Sequence, residues 1–372
     1  MIPAFWLFFA LVAWCYAGYP LAMLALARVR PRPTRTAPWT PSISVVLAVR
    51  NEADRIADRV SDLLAQAYPG DRLEVVVVCN GCHDGTEARA RTLAADDPRL
   101  RVFVSPAAEG KAGALNLGVS RATGDLIVFA DARQRFERPV LARLAARLAD
   151  PRAGAVSGRL DIGEATAAAV EGVRRYWAIE VALRRAESRT GSVVGATGAI
   201  YAIRRELWEP LPPGLILDDV LTPMRIAMRG YRVLFADDAV AHDRASPSAR
   251  GEFRRKVRTM VGNLELPRIE PRLLSPRANP LLGRYVSHKL LRLAAPLCLL
   301  GMLGTAAAAG GPFYGTLAVA QLAVYGLGAA GLLLRIPALG VPAGFVLAHA
   351  AVLAALGRPR RGAETVWSSS AR

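Results

Sequence analysis

The chain has 372 residues, 52% hydrophobic and only 21% charged, with 48 Lys and Arg against 31 Asp and Glu for a formal net charge of +17. That is too apolar for a disordered or nucleic-acid-coating protein and points to contact with a bilayer. Four cysteines, two of them inside apolar runs, exclude a small disulfide-stapled secreted domain.

Ile2–Ala27 runs 26 residues without a charge, enough at about 1.5 Å per residue to cross a hydrocarbon core of roughly 30 Å. A signal peptide needs a basic start and a shorter apolar centre, so residues 1–27 read as a retained transmembrane anchor. Arg28, Arg30, Arg32 and Arg35, interleaved with Pro31 and Pro33, make 28–41 a basic, proline-rich linker. A basic flank stays on the cytoplasmic side, so the large central region is expected to face the cytoplasm.

Ser42–Val49 (SISVVLAV) is a continuous β-rich run, as a strand buried on both faces requires, and it ends at Arg50-Asn51-Glu52. A helical pattern follows to Gln66. Leu73–Cys79 predicts a second strand ending at Asn80-Gly81, then a helix from about Asp84 to Ala94. Arg101–Val104 reads as a short third strand, Lys111–Arg121 as a helix, and Asp125–Asp131 as a fourth strand. This alternation predicts an α/β domain with a parallel-dominated sheet and right-handed crossovers. Ligands bind beyond the carboxyl ends of such strands, where Arg50, Glu52, Asn80 and Asp131 fall. No G-x-G-x-x-G and no P-loop follows the first strand, which leaves other nucleotide users open.

Residues 264–291, rich in proline and arginine, read as an interfacial segment. Within 292–357 the 42 uncharged residues Leu293–Leu334 are split by Gly310-Gly311-Pro312 into a helical hairpin, and Ile336–Gly357 is a third candidate span weakened by Pro337 and Pro342. That predicts two to three C-terminal transmembrane helices. Three would leave the C-terminus outside, yet the tail 358–372 opens with Arg358, Arg360 and Arg361. Either the last segment is re-entrant or one span is miscounted.

The strings SVVLAVRNEADRI, VVVVCNGCHDGT, GKAGALNLGV, GDLIVFADAR, GATGAIYAIRREL and LDDV, in this order over about Ser42 to Gly262, resemble membrane-bound family 2 nucleotide-sugar glycosyltransferases, the group of cellulose synthase, hyaluronan synthase and ceramide glucosyltransferase. The resemblance implies a Rossmann-like GT-A glycosyltransferase domain over 42–263 and an inverting transfer from a nucleotide diphosphate sugar.

By that resemblance Arg50 and Glu52 hold base and ribose, a carboxylate being able to accept two hydroxyl hydrogen bonds. Alternatively Glu52 only favours the N-terminus of the next helix. Asn80 stands where the family has an acid contacting the base, and its amide still offers an acceptor to an imide N–H. Cys79-x-x-Cys82 beside His83 is half a zinc site without a second pair in the soluble region, a structural coincidence. Lys111, one of three lysines in the chain with Lys256 and Lys289, precedes a helix where a point cation can meet a diphosphate.

Asp131 opens what the family has as D-x-D, the holder of a divalent cation, Mg²⁺ or Mn²⁺. Here it reads Asp131-Ala132-Arg133, so the second acid is absent. A cation would rely on Asp131, the diphosphate, water and an added ligand such as His242, which Mg²⁺ tolerates because it keeps several waters; His242 reads equally as a hydrogen-bonded structural histidine, and alternatively Arg133 neutralises phosphate charge. Asp218-Asp219 resembles the acidic pair whose second member is the catalytic base, and two adjacent acids raise one another's pKa. They could instead cap a helix. Arg258 matches the arginine of Q-x-x-R-W and is expected to clamp the leaving diphosphate, while Thr259 replaces the tryptophan and Arg255 the glutamine.

The expected partners are a nucleotide diphosphate sugar, membrane lipids and a lipid-linked or membrane-proximal hydroxyl acceptor. Nucleic acid is not expected, since much of the charge flanks membrane segments and no nucleic-acid motif occurs. The alternatives are a non-catalytic scaffold that keeps the fold, which the changes at Asn80, Ala132 and Thr259 motivate, and a processive polysaccharide synthase.

Overall fold

Val45 and Leu47 on one side of the first strand, and Val46 and Ala48 on the other, all find apolar partners, because consecutive strand residues point to opposite faces. In the computed structural model, which describes residues 1–163, 168–243, 249–334 and 336–358, that strand is Ile43–Val49 (β1) and every position in it is buried. The others are Leu73–Asn80 (β2), Leu100–Ser105 (β3), Leu126–Ala130 (β4), Arg135–Phe136 (β5), Ala153–Ile162 (β6), Ile200–Arg204 (β7) and Arg232–Asp243 (β8). They form one sheet in the order β3-β2-β1-β4-β7-β6-β8-β5.

The first four strands are parallel, with Val49 opposite Cys79 and Leu47 opposite Ala130, so their carboxyl ends share one edge. The sheet then turns mixed: β7 runs antiparallel to both β4 and β6, while β6 and β8 pair in parallel. This is the GT-A-like fold.

Helices cover both faces. The helix Ile2–Val29 (α1) precedes the sheet. Ile56–Leu64 (α2), Thr86–Asp96 (α3), Gly110–Arg121 (α4) and Val140–Leu148 (α5) follow. Ile56, Val60 and Leu63 of α2 join Leu141 and Leu144 of α5 under one face, and Ala112, Leu115 and Val119 of α4 pack on the other. Gly118 lets α4 lie against the sheet: a Cβ there would stand 2.5 Å from Val46 Cγ1. Ala168–Arg189 (α6), Asp218–Met228 (α7) and Ala249–Ile269 (α8) complete the sheet-bearing part.

Beyond it lie Leu282–Ala309 (α9), Gly311–Leu334 (α10) and Gly340–Leu356 (α11). Among the described residues three helices, α1, α9 and α10, are long and apolar enough to cross a membrane. The hairpin breaks at Gly310 and Gly311, both at positive φ, as the turn signal predicts. The helix α9 starts at Leu282, ten residues before the 292 boundary expected from the sequence, because its first turns carry Arg284, His288 and Lys289 and so interrupt the apolar run. The third candidate span is shorter than expected: α11 has 17 residues, and its Ala351 and Ala355 pack on Val257 of α8. Arg360 and Arg361 lie outside the described residues.

One buried cluster fastens the apolar helices to the sheet-bearing part. The two ring nitrogens of His288 on α9 meet Glu187 Oε1 at 2.8 Å and Glu180 Oε1 at 2.9 Å, both on α6. Tyr19 of α1 donates to the same Glu187 oxygen, and Arg292 Nη1 donates to Glu180 Oε2 at 2.9 Å.

Candidate active site

The cleft forms where β1, β2 and β4 end. Asn51 turns the chain there at φ 55°, a left-handed conformation that asparagine tolerates. Its Oδ1 accepts from His83 N at 2.9 Å and ties the loops after β1 and β2 together. Asp84 accepts from Ala53 N at 3.0 Å and, at 3.0 Å, from the N of Thr86, the first residue of α3.

Lys111, in the first turn of α4, is the hub. Its Nζ lies 3.4 Å from Asp131 Oδ1 and 3.3 Å from Asp218 Oδ1. Burial works against its charge, but Asp131, Asp218 and Asp219 outweigh that and hold the ammonium above the ordinary lysine value, with Arg258 of α8 opposing them. Four residues from three distant stretches, together with Arg258, thus share one electrostatic neighbourhood.

Asp219 sits in the first turn of α7 with its Oδ2 accepting from Gly198 N at 3.0 Å. Only glycine fits at 198, since a Cβ would stand 2.9 Å from that oxygen. Burial and then Asp218 push the Asp219 carboxyl up to about 6, against the pull of Lys111, Lys289 and Arg184. Asp218 is buried and takes the Tyr201 hydroxyl at 3.5 Å. Burial, then Asp218, raises the Tyr201 phenol well above its usual range, so it remains a neutral donor.

Asn80 is fully buried on β2. Its Nδ2 donates to Ser105 Oγ at 2.9 Å and to Pro106 O at 2.6 Å. A carbonyl can only accept, so the amide orientation follows, and Oδ1 is the buried acceptor without a donor. Arg50 likewise keeps a buried Nη1 without a partner. Glu52 closes an ion pair with Arg55 at 2.7 Å, while its backbone N donates to Thr86 Oγ1 at 2.8 Å.

Two expected positions, His242 and Arg133, are paired with acids. The ring nitrogens of His242 face Glu137 at 3.4 Å and Asp161 at 3.5 Å, so both are occupied, and strand alternation turns Asp243 the other way. There Asp243 Oδ2 accepts from Arg133 Nη2 at 2.6 Å and from Gln134 Nε2 at 3.1 Å. The residues present do not reproduce a D-x-D cradle for a divalent cation. The second acid is replaced by a guanidinium, an ammonium stands beside the first, and among the described residues no group of three or more His, Cys, Asp or Glu could hold a metal.

Tyr201, Gly198, Arg184 and Lys289 were not marked as site residues by sequence reasoning. Tyr201 and Gly198 fall inside GATGAIYAIRREL without being distinguished in it. For Lys289 a signal existed, since lysine is rare in this arginine-rich chain.

An open α/β edge thus gathers acids around a single lysine, with a buried unpaired acceptor at Asn80. Residues 44–211 match the family model described as Glycosyl transferase family 2. Over 214 residues it is 28% identical to the glycosyltransferase AglE of Haloferax volcanii, covering 56% of this chain and 68% of that protein. It is 25% identical over 244 residues to a beta-monoglucosyldiacylglycerol synthase of Synechocystis, covering 62% of this chain and 51% of the relative. Among solved structures, the mannosyltransferase PcManGT of Pyrobaculum calidifontis, in complex with GDP-Man and Mn²⁺, superposes with a TM-score of 0.71 at 28% identity over 95% of this chain and 97% of that one.

Proposed function

We propose that the protein is a membrane-anchored, inverting glycosyltransferase that passes a sugar from a nucleotide diphosphate donor to a hydroxyl on a lipid-linked or membrane-proximal acceptor. The observation that carries this reading is the Lys111 ammonium held 3.4 Å from Asp131 and 3.3 Å from Asp218, with Asp219 the next residue. In this reading Asp219 takes the proton from the acceptor hydroxyl as its oxygen bonds to the anomeric carbon. The bond from that carbon to the diphosphate breaks on the opposite side, and the electron pair leaves with the diphosphate. Lys111 and Arg258 stabilise the charge that grows there.

The free Oδ1 of Asn80 supports recognition of an imide N–H on the base, and the unpaired Arg50 nitrogen supports a further donor toward the nucleotide. A lipid acceptor is supported by Lys289. It comes from the cytoplasmic end of α9 and lies close enough to Asp219 to act on its charge. The relative named for a glucosyldiacylglycerol product points the same way. Orientation follows from the arginines after α1: the sheet-bearing part faces the cytoplasm, and α9 and α10 form a hairpin that returns the chain to the same side.

The test is a panel of nucleotide sugars given to the purified protein with membrane lipids, read by release of nucleoside diphosphate and by mass spectrometry of the lipid extract. A lipid that gains one sugar mass supports the reading. Release of diphosphate with the sugar found only in a water-soluble polymer would overturn the lipid acceptor.

A further inference from the structure

We propose that in this enzyme cationic side chains, Arg133 with Lys111 and Arg258, meet the charge of the donor diphosphate, so that donor binding and turnover need no divalent cation. The inference rests on the donor-site reading above and departs from the D-x-D pattern of the family.

The first observation is position. Arg133 occupies the place of the second acid, two residues after Asp131 on the loop that leaves β4. A guanidinium there reverses the sign of the charge the pattern would supply. Its planar fork also matches two phosphate oxygens at once, which a single carboxylate does not do for an anion.

The second is what surrounds Asp131. Its Oδ1 is already 3.4 Å from the Lys111 ammonium, so a divalent ion on that carboxylate would sit beside a like charge held in place by Asp218. The lysine fills the role of counter-charge between the acids.

The third is the state of the remaining candidate ligands. His242 has both ring nitrogens against Glu137 and Asp161. Asp243 spends one oxygen on Arg133 and Gln134. Its other oxygen is buried without a partner, a single donor where a divalent ion asks for six or so. Arg133, by contrast, is tethered through one nitrogen among the described residues, and its side chain stays 41% exposed. The remaining N–H groups of the fork make no bond to another described residue and can take a diphosphate while Asp243 fixes its direction. As the bond to the anomeric carbon breaks, the growing negative charge on the leaving phosphate meets these fixed cations in place of an ion.

The test uses the full-length protein in detergent, with GDP and UDP as calorimetric probes, in EDTA and then in Mn²⁺. Affinity for the preferred nucleotide is expected to agree within about twofold between the two conditions, and EDTA is expected to leave turnover intact. Binding that appears only with Mn²⁺ overturns the proposal. Binding of neither nucleotide in either condition removes the donor-site reading and the inference with it.

The variant Arg133→Asp, which restores the acid, is expected to lose about tenfold or more affinity in EDTA and to regain it with Mn²⁺. A purely structural role for the Arg133–Asp243 pair would lower affinity in both conditions alike, which counts against the proposal. Arg133→Gln keeps the loop uncharged and guards against misfolding of the first variant. It is expected to weaken binding in EDTA with no rescue by Mn²⁺, and unchanged affinity would refute the role of Arg133.

Discussion

A carboxylate becomes a useful base only if it is ionised at working pH yet still basic enough to take a proton. Asp219 meets both conditions because burial and Asp218 lift it to about 6. The sign of the pH dependence follows: below that value the carboxyl is protonated and cannot accept, so turnover is expected to climb as pH rises through about 6 and level off above it. Stopped-time assays from pH 4.5 to 8 at saturating donor check this, and a rate that falls over that interval contradicts it. That Lys111, Asp131 and Asp219 lie near one another was legible from the sequence, because each belongs to a short string next to the end of a strand or the start of a helix. Tyr201 and Lys289 were not. Their nearness to Asp218 and Asp219 comes from the approach of β7 and α9 to α7, which no local spacing encodes.

At the scale of elements, the parallel half of the sheet was written plainly in continuous apolar strands separated by helical repeats. The antiparallel half was not, because β5, β6, β7 and β8 pair across long separations and two of them reverse direction. The close seating of α4 on the sheet is what brings Lys111 to the ends of β1 and β4. Gly118→Leu would drive a side chain into Val46 Cγ1, which a Cβ alone approaches to 2.5 Å. The variant is expected to lose about 1–3 kcal/mol of stability or more, read as a lower unfolding temperature, with donor affinity falling because Lys111 moves. An unchanged unfolding temperature would mean that α4 is not packed as described.

Across the whole molecule, the apolar helices are bolted to the catalytic part through His288 and its two glutamates. Removing the ring leaves Glu180 and Glu187 buried with less compensation, a type of loss that costs about 3–5 kcal/mol. His288→Ala is therefore expected to lower the unfolding temperature markedly and to loosen the cleft floor near Lys289. His288→Gln, which keeps a donor, is expected to recover part of it. The number of apolar helices was nearly legible. Whether the last one crosses was left open, because composition reports apolarity and not what a helix packs against, and α11 lies partly on α8.

The most direct test of the central claim, that Asp131, Lys111, Asp218 and Asp219 form one catalytic cleft, is turnover and donor affinity measured side by side for Asp219→Asn. Asparagine keeps the size of the side chain and an acceptor for Gly198 N–H but cannot take a proton. Turnover is expected to fall by about 10²- to 10⁴-fold, with the donor dissociation constant changed by no more than about threefold. Wild-type turnover in this variant would contradict the assignment of Asp219 as the base and, with it, the role given to the cleft.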